Sequence, residues 1–368
     1  MRPSAIQFFS AAGLSASVLL IPNLARDEFG ATTVEIGFIV AFYSLALFIS
    51  SYVFGRASDV HGRRMVLRAG LILSTLSLAL QIMVVDASTL ILARILVGFC
   101  AGMFPSALMA YVFDTKGRIG RFSAFGSLGF GFGVLAAGTI GNFDLIFTAS
   151  AAMMAVGFLI SLFIPFGKER QQKVPLFPVD IMKRNFPVYA SVMIRHTGAN
   201  MIWVTFPIFL ADIGAEPFFI GVIYATNAIV QFTAMQLVER FQSRYLIMTG
   251  LILSSIVFIL FTSLNLFWEI LPLQVMLATA WACLYIGSVN YIMIRNVERG
   301  TSAGLLQSSI SISAIMGAMI GGAITYVFGY QGSMFTAAGM ALLALCIFIL
   351  GDRWTSRRFG NSYIISDP

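Results

Sequence analysis

The chain has 368 residues, 58% of them apolar and only 11% charged, with a mean hydropathy of +0.89. Soluble domains average nearer half apolar and about a quarter charged, so a water-facing globular fold is excluded and lipid is the solvent for most of the chain. The net charge of +7 would raise nucleic acid as a partner in a soluble protein; here the charges sit in loops between apolar runs, so they are read as topology and no nucleic acid is expected. Cys100, Cys283 and Cys346 each lie inside an apolar run, which argues against a disulfide framework. His61 in a loop and His196 in a run form no pair at ligand spacing, so no metal, no cofactor and no catalytic constellation is expected.

Runs of about 20 apolar residues, the length a bilayer-spanning helix needs, recur twelve times, at 4–25, 35–55, 65–85, 88–113, 121–142, 145–165, 186–211, 218–238, 244–265, 268–293, 303–328 and 331–350. The first is long enough to span and lacks a small-residue cleavage site, so it is read as a membrane helix and not as a removed signal. The longest polar interruption, with Lys168, Arg170, Lys173, Lys183 and Arg184, divides the runs six and six. The expected organisation is an N-terminal six-helix bundle at 1–166, a cytoplasmic linker at 167–185, and a C-terminal six-helix bundle with a short tail at 186–368. Of the 23 Lys and Arg, all but Arg26, Arg94 and Arg195 fall on the segments that are inside if the N-terminus is cytoplasmic. The outside loops carry Asp27, Glu28, Glu35, Asp86, Asp144, Asp212, Glu216 and Glu269. The positive-inside rule then places both termini in the cytoplasm, as a multi-pass protein of the plasma or inner membrane.

Taken in order, the runs are unequal in what they carry. Between the second and third lies Gly55-Arg56-Ala57-Ser58-Asp59-Val60-His61-Gly62-Arg63-Arg64, a charged turn with an acid placed to meet a helix N-terminus and a glycine placed for close helix approach. The fourth run holds Arg94, Gly98 and Pro105; the fifth is rich in glycine, with Gly129 and Gly133 at four-residue spacing. The seventh places Arg195 about ten residues from its start, roughly 15 Å deep at 1.5 Å per residue, with His196, Asn200 and Trp203 along one helical face. The eighth offers Tyr224, Asn227 and Gln231, and the tenth Gln274, Trp281 and Tyr285. Leaving such groups in lipid is costly, so these faces turn inward and are the candidate substrate-binding residues. The eleventh opens with the capping residues Gly300-Thr301-Ser302 and repeats small residues at Ser313, Gly317 and Gly321, whereas runs three, six, nine and twelve carry no charge beyond Arg68 and Arg244 near the starts of the third and ninth.

The turn has a weaker second copy 180 residues on, where Glu239 matches Asp59, Arg244 matches Arg64 and Gly250 matches Gly70; Tyr111 and Gly120 match Tyr291 and Gly300 at the same offset. Gly13 and Pro22 match Gly198 and Pro207 at an offset of 185. The halves read as two parallel repeats.

The turn Gly55-x-x-x-Asp59-x-x-Gly62-Arg63-Arg64, between the second and third of twelve runs, resembles the signature loop of the major facilitator superfamily. Arg94-x-x-x-Gly98 is similar to an element of its multidrug-efflux-like branches, and Pro105 and Asp114 also fall where such exporters often carry them. The fifth run lacks the Gly-Pro pair typical of the antiporters, and Ala57, Val60 and Val97 depart from the usual residues. The resemblance implies an all-α fold of two pseudo-symmetric six-helix bundles, with runs 1, 4, 7 and 10 lining a cavity and 3, 6, 9 and 12 supporting it. It also makes the start of the eleventh helix the partner of Asp59, a contact that biases the outward-facing state.

The function expected is secondary transport of a small organic solute by alternating access, as an exporter of amphipathic or anionic compounds acting as a monomer in the bilayer. None of the 16 acids falls mid-membrane, so the carboxylate that a cationic-drug/proton antiporter uses is lacking. His196 is the buried titratable candidate for proton coupling, and Arg195 suits a carboxylate or phosphate. Proton coupling stays open at this point, with a proton-independent facilitator or exchanger for organic anions as the alternative. A non-transporting sensor and a channel rank lower, since no loop makes a soluble domain and the duplication favours alternating access.

Overall fold

The structure, a computed structural model, describes residues 1–19, 21–167 and 172–359. Lys168 and Arg170 of the expected linker, and the tail from 360, lie outside the described residues. The helices are α1 (Arg2–Leu19), α2 (Ile21–Asp27), α3 (Thr33–His61), α4 (Arg63–Leu80), α5 (Ala87–Met103), α6 (Pro105–Asp114) and α7 (Ile119–Ile140), then α8 (Phe143–Leu162), α9 (Val179–Trp203), α10 (Phe206–Asp212), α11 (Pro217–Val238), α12 (Ser243–Leu260), α13 (Ile270–Arg295) and α14 (Arg299–Phe359). Ten helical segments among the described residues are long and apolar enough to cross a membrane. One of them, Arg299–Thr355, holds two helices that meet at Gly329 (φ 69°, ψ −174°), between the runs expected at 303–328 and 331–350. Helix α9 is not one of the ten, because polar residues at 195–197 and 200 interrupt its apolar stretch.

Helix ends follow local chemistry. Thr32 and Glu35 cap the start of α3 reciprocally, the Thr32 hydroxyl accepting from Glu35 N while Glu35 accepts from Thr32 N. Asp86 caps α5 and accepts from Thr89 N at 2.7 Å, which holds its carboxyl below the usual carboxylate range. Prolines open α6 and stand in the first turn of α10, where a missing N–H costs little. Helix α10 starts beside Pro207, after α9 has ended at Trp203, and Pro22, its match 185 residues earlier, lies within the helical stretch Ile21–Asp27. One expectation is corrected: α9 begins at Val179, inside the stretch read as linker. The apolar positions Val179, Met182 and Phe186 keep helical spacing, and Asp180, Lys183 and Arg184 between them masked it in the hydropathy pattern.

The chain divides into two compact units, Met1–Leu176 with Glu298–Ser308, and Phe177–Val297 with Ser309–Pro368. Within each, close helix crossings come from small residues, since lipid supplies no hydrophobic drive between helices and van der Waals contact must do the work. In the first unit a Cβ on Gly129 or Gly133 would strike the Phe8 or Ala12 carbonyl of α1. In the second, one on Gly317 or Gly321 would come within 2.6 Å of Thr197 O or 2.5 Å of Met201 Cα on α9. The matched Gly70 and Gly250 repeat the pattern: a Cβ there would meet Phe104 Cβ at 2.8 Å and Leu284 Cβ at 2.8 Å, partners that are themselves 180 residues apart. The two copies therefore share packing as well as residues. The core of the first unit gathers around Ile21, Ile39, Leu90 and Phe147, and that of the second around Ile202, Phe206, Phe258 and Phe261.

Candidate functional site

The charged turn builds a compact electrostatic cluster within the first unit. Helix α3 ends at His61 because Gly62 turns with φ 102° before α4 starts at Arg63, a conformation that favours glycine. One turn before that break, Asp59 is only 4% exposed. Its Oδ1 accepts from Gly300 N at 3.0 Å, and its Oδ2 accepts from Thr301 N and from Thr301 Oγ1, both at 2.7 Å. Those amides are orphan donors at the N-terminus of α14, where the helix dipole favours negative charge. Gly55 makes the approach possible: a Cβ there would lie 2.7 Å from Gly304 Cα and 2.8 Å from Gly300 O.

Arginines surround this cap. Arg63 stands 3.8 Å from Asp59, pairs with Asp114 at the end of α6, and donates to Ala110 O at 3.2 Å. Arg299 also pairs with Asp114 and lies 4.6 Å over the Phe113 ring. Asp59, Arg63, Asp114 and Arg299 thus alternate in sign. Arg64 is exposed. The chain entering the second half lies along α3, with Gln172 N donating to Asp59 O at 2.8 Å and Arg56 Nε to Val174 O at 2.9 Å.

The second copy of the turn, in the second unit, is built differently. Glu239 ends α11, and Arg244 pairs through Nε with Asp352 Oδ2 at 3.2 Å. Asp352 is buried near the end of α14, accepts from Tyr291 Oη at 2.6 Å, and stands 3.4 Å from Arg295 Nη2. Tyr111, the repeat partner of Tyr291, donates to Pro165 O, 2.9 Å away, three residues beyond the end of α8. Asp352 and Arg295 went unnoticed in the sequence: each sits at the edge of an apolar run where charged residues are commonplace, and only the repeat of Tyr111 at Tyr291 pointed there.

The intramembrane candidates separate into groups. Arg94, buried in the first unit, donates to Gln81 Oε1 at 3.0 Å and Ser17 Oγ at 3.5 Å and lies 4.4 Å over the Tyr43 ring. In the second unit His196 stacks on Trp281 at 4.9 Å, and Trp281 stacks on Tyr285 at 5.4 Å. Arg195, 2% exposed, donates to Ser254 Oγ at 2.9 Å and lies 5.4 Å from both the Phe258 and Trp281 rings. His196 Nδ1 is buried and makes no hydrogen bond among the described residues. Asn200 donates to His196 O of its own helix. A chain of amides links α11 to α13, Gln231 donating to Asn227 Oδ1 at 2.6 Å and Asn227 to Gln274 Oε1 at 2.8 Å. Trp203 and Tyr224 pack against the apolar cluster around Phe206.

This is a multi-pass helical membrane protein with internally duplicated packing, a carboxylate-capped helix beside a charged turn, and a polar aromatic stripe inside its second unit. The family model of the Major Facilitator Superfamily matches residues 4–183 and 188–360. The chain belongs to that superfamily, a family of membrane transporters and not of enzymes. It is similar to the class C tetracycline resistance protein of Escherichia coli, 23% identical across 92% of each chain, and to the quinolone resistance protein NorA of Staphylococcus aureus, 22% identical across 92% of each. Among solved structures, the human organic anion transporter MFSD10 (TETRAN) shares the fold with a TM-score of 0.77 over 94% of this chain and 98% of that one, at 14% identity.

Proposed function

We propose that this chain is a secondary transporter that exports small amphipathic organic compounds by alternating access, working as a monomer in the plasma or inner membrane. The topology is twelve spans in two six-helix halves divided near the linker, with both termini cytoplasmic, a reading supported by the loop charges. The observation that carries the mechanism is the three-donor cap on Asp59. A buried carboxylate facing a helix N-terminus is strongly held while the donors are in place and unfavourable once they leave, so it behaves as a two-state element. The cap forms in the state closed on the cytoplasmic side and opens in the other.

The stripe of His196, Trp281 and Tyr285 supports a substrate with a flat apolar body, held by stacking and oriented by Asn227, Gln231 and Gln274. The relatives, named for resistance to tetracycline and to quinolones, support export of such molecules. An organic-anion cargo is the second reading, favoured by Arg195: its charge is buried beside Trp281 with the Ser254 hydroxyl as hydrogen-bond partner, so it lends positive potential to the stripe. His196 is the group proposed for proton coupling, if flux responds to a pH gradient.

Flux of tetracycline, norfloxacin and benzoate in proteoliposomes, with and without a pH gradient, tests both readings. Saturable flux is expected, with Trp281→Ala raising KM about three- to ten-fold. Non-saturating flux, or none with any of the three, overturns the transport reading as stated. The anion reading falls if benzoate is not moved, or if Arg195→Ala leaves its flux untouched.

A further inference from the structure

We infer that the second unit carries a binding groove for an anionic phospholipid, built between the start of α9 and the end of α14 and separate from the substrate stripe. The groove measures about 630 Å³, within the range of about 300–1,000 Å³ typical of ligand pockets. Its walls are two helical stripes. Val179, Met182, Lys183 and Phe186 follow one another at helical spacing on α9, and Leu350 and Trp354 do so on α14. Gly351 forms the floor: a Cβ there would meet Pro187 Cγ at 2.9 Å, so the bare backbone lets the two helices converge at that point.

The walls are exposed in a way that their chemistry does not suit to water, with Phe186 53%, Leu350 66% and Trp354 47% accessible. They are also held in place from behind. Ile181 and Asn185, on the opposite face of α9, are buried, and Asn185 exchanges hydrogen bonds with Asn296 at 3.0–3.1 Å. Asp352, next to the floor, is turned inward to Tyr291, Arg244 and Arg295. The groove is therefore a fixed shape and its occupant comes from outside.

Charge complementarity selects that occupant. Phe186 and Leu350 stand next to Pro187 and Gly351, where the helices meet, and form the deep apolar end. Lys183, Trp354 and the exposed Arg357, three residues beyond Trp354 on the same face, lie towards the helix ends. An acyl chain fits the deep end, a tryptophan suits the level of the headgroups, and two cations with flexible apolar stems suit a phosphate. Asp180, exposed one turn before Lys183, and Arg353, exposed before Trp354, leave the rim net positive. A zwitterionic lipid would match the apolar end alone, and a second copy of the chain would bring the same positive rim against its like.

The test is native mass spectrometry of the purified full-length chain after incubation with mixed micelles of dioleoyl phosphatidylglycerol or dioleoyl phosphatidylcholine. Retention of one phosphatidylglycerol above phosphatidylcholine is expected, and Lys183→Gln should lower that retention about five-fold, the effect of one cation near an anionic headgroup. Leu350→Ser should lower retention of both lipids with the melting temperature unchanged. Equal retention of the two lipids, or no effect of Lys183→Gln in a variant that melts like wild type, overturns the proposal. So does full displacement by glycerol 3-phosphate, which would make the headgroup alone sufficient, or a dimer forming through this face when lipid is stripped.

Discussion

Asp59→Asn is expected to abolish most transport while insertion and abundance in the membrane stay normal. The carboxylate accepts three hydrogen bonds, from Gly300 N, Thr301 N and Thr301 Oγ1, at 2.7–3.0 Å in a buried position. An asparagine presents one acceptor oxygen, and its amide turns donors toward donors. Charged hydrogen bonds contribute about 1.5–3 kcal/mol each, so losing one already shifts a two-state equilibrium by roughly ten- to a hundred-fold. Because the remaining helix packing is untouched, the loss falls on the balance between states and not on folding. Asp59→Glu should not rescue, since Gly55 brings the helices too close for a longer side chain. Proteoliposome flux normalised to membrane abundance reads the effect; wild-type flux in Asp59→Asn contradicts it.

The largest effect on stability is expected from Asp352→Ala. This carboxylate joins Arg244 of α12 and Tyr291 and Arg295 of α13 to the end of α14. Its removal leaves the Tyr291 hydroxyl and two cations without their shared acceptor. Breaking a fully buried pair costs about 3–5 kcal/mol. Here Arg244 is half exposed and Arg295 partly so, so solvent screens both and about 2–3 kcal/mol is the better expectation. Asp352→Asn keeps an acceptor for Tyr291 and should lose about half as much. Thermal unfolding in detergent measures the series, and an unchanged melting temperature for Asp352→Ala would contradict the account of this cluster.

Much of the fold was open to sequence reasoning because a bilayer leaves a chain few choices. Apolar length, loop charge and the paired glycines each follow from lipid as solvent, and Gly129 with Gly133 could be read as a close crossing without knowing its partner. The cap on Asp59 was legible for a similar reason: an acid in a tight turn and a Gly-Thr-Ser helix start are complementary wherever they meet. What escaped depended on how helices rotate about their own axes. That Arg195 turns inward followed from the cost of lipid exposure, but its partner Ser254 is chosen by the rotation of α12, which no spacing reveals. Arg94 likewise takes Gln81 and Ser17, polar residues that look incidental in the sequence. Trp203 and Tyr224, which share faces with polar neighbours, also pack against the Phe206 cluster, a contact that spacing along their own helices does not reveal. Helix α9 starts seven residues early because three charges conceal an apolar stripe.

The central claim is that the contact between the end of α3 and the start of α14 must open during transport. The direct measurement is flux through a Ser58→Cys/Gly300→Cys pair, in a background without Cys100, Cys283 and Cys346. A Cβ at position 300 would crowd Ser58 Oγ and Gly55 O, so the helices part slightly to admit the pair and flux through the reduced pair is first matched to that of its parent; the two sulfurs then stand within reach of one another. The account predicts that oxidation stops flux and that a reductant restores it. Equal flux from the oxidised and reduced pair would contradict it.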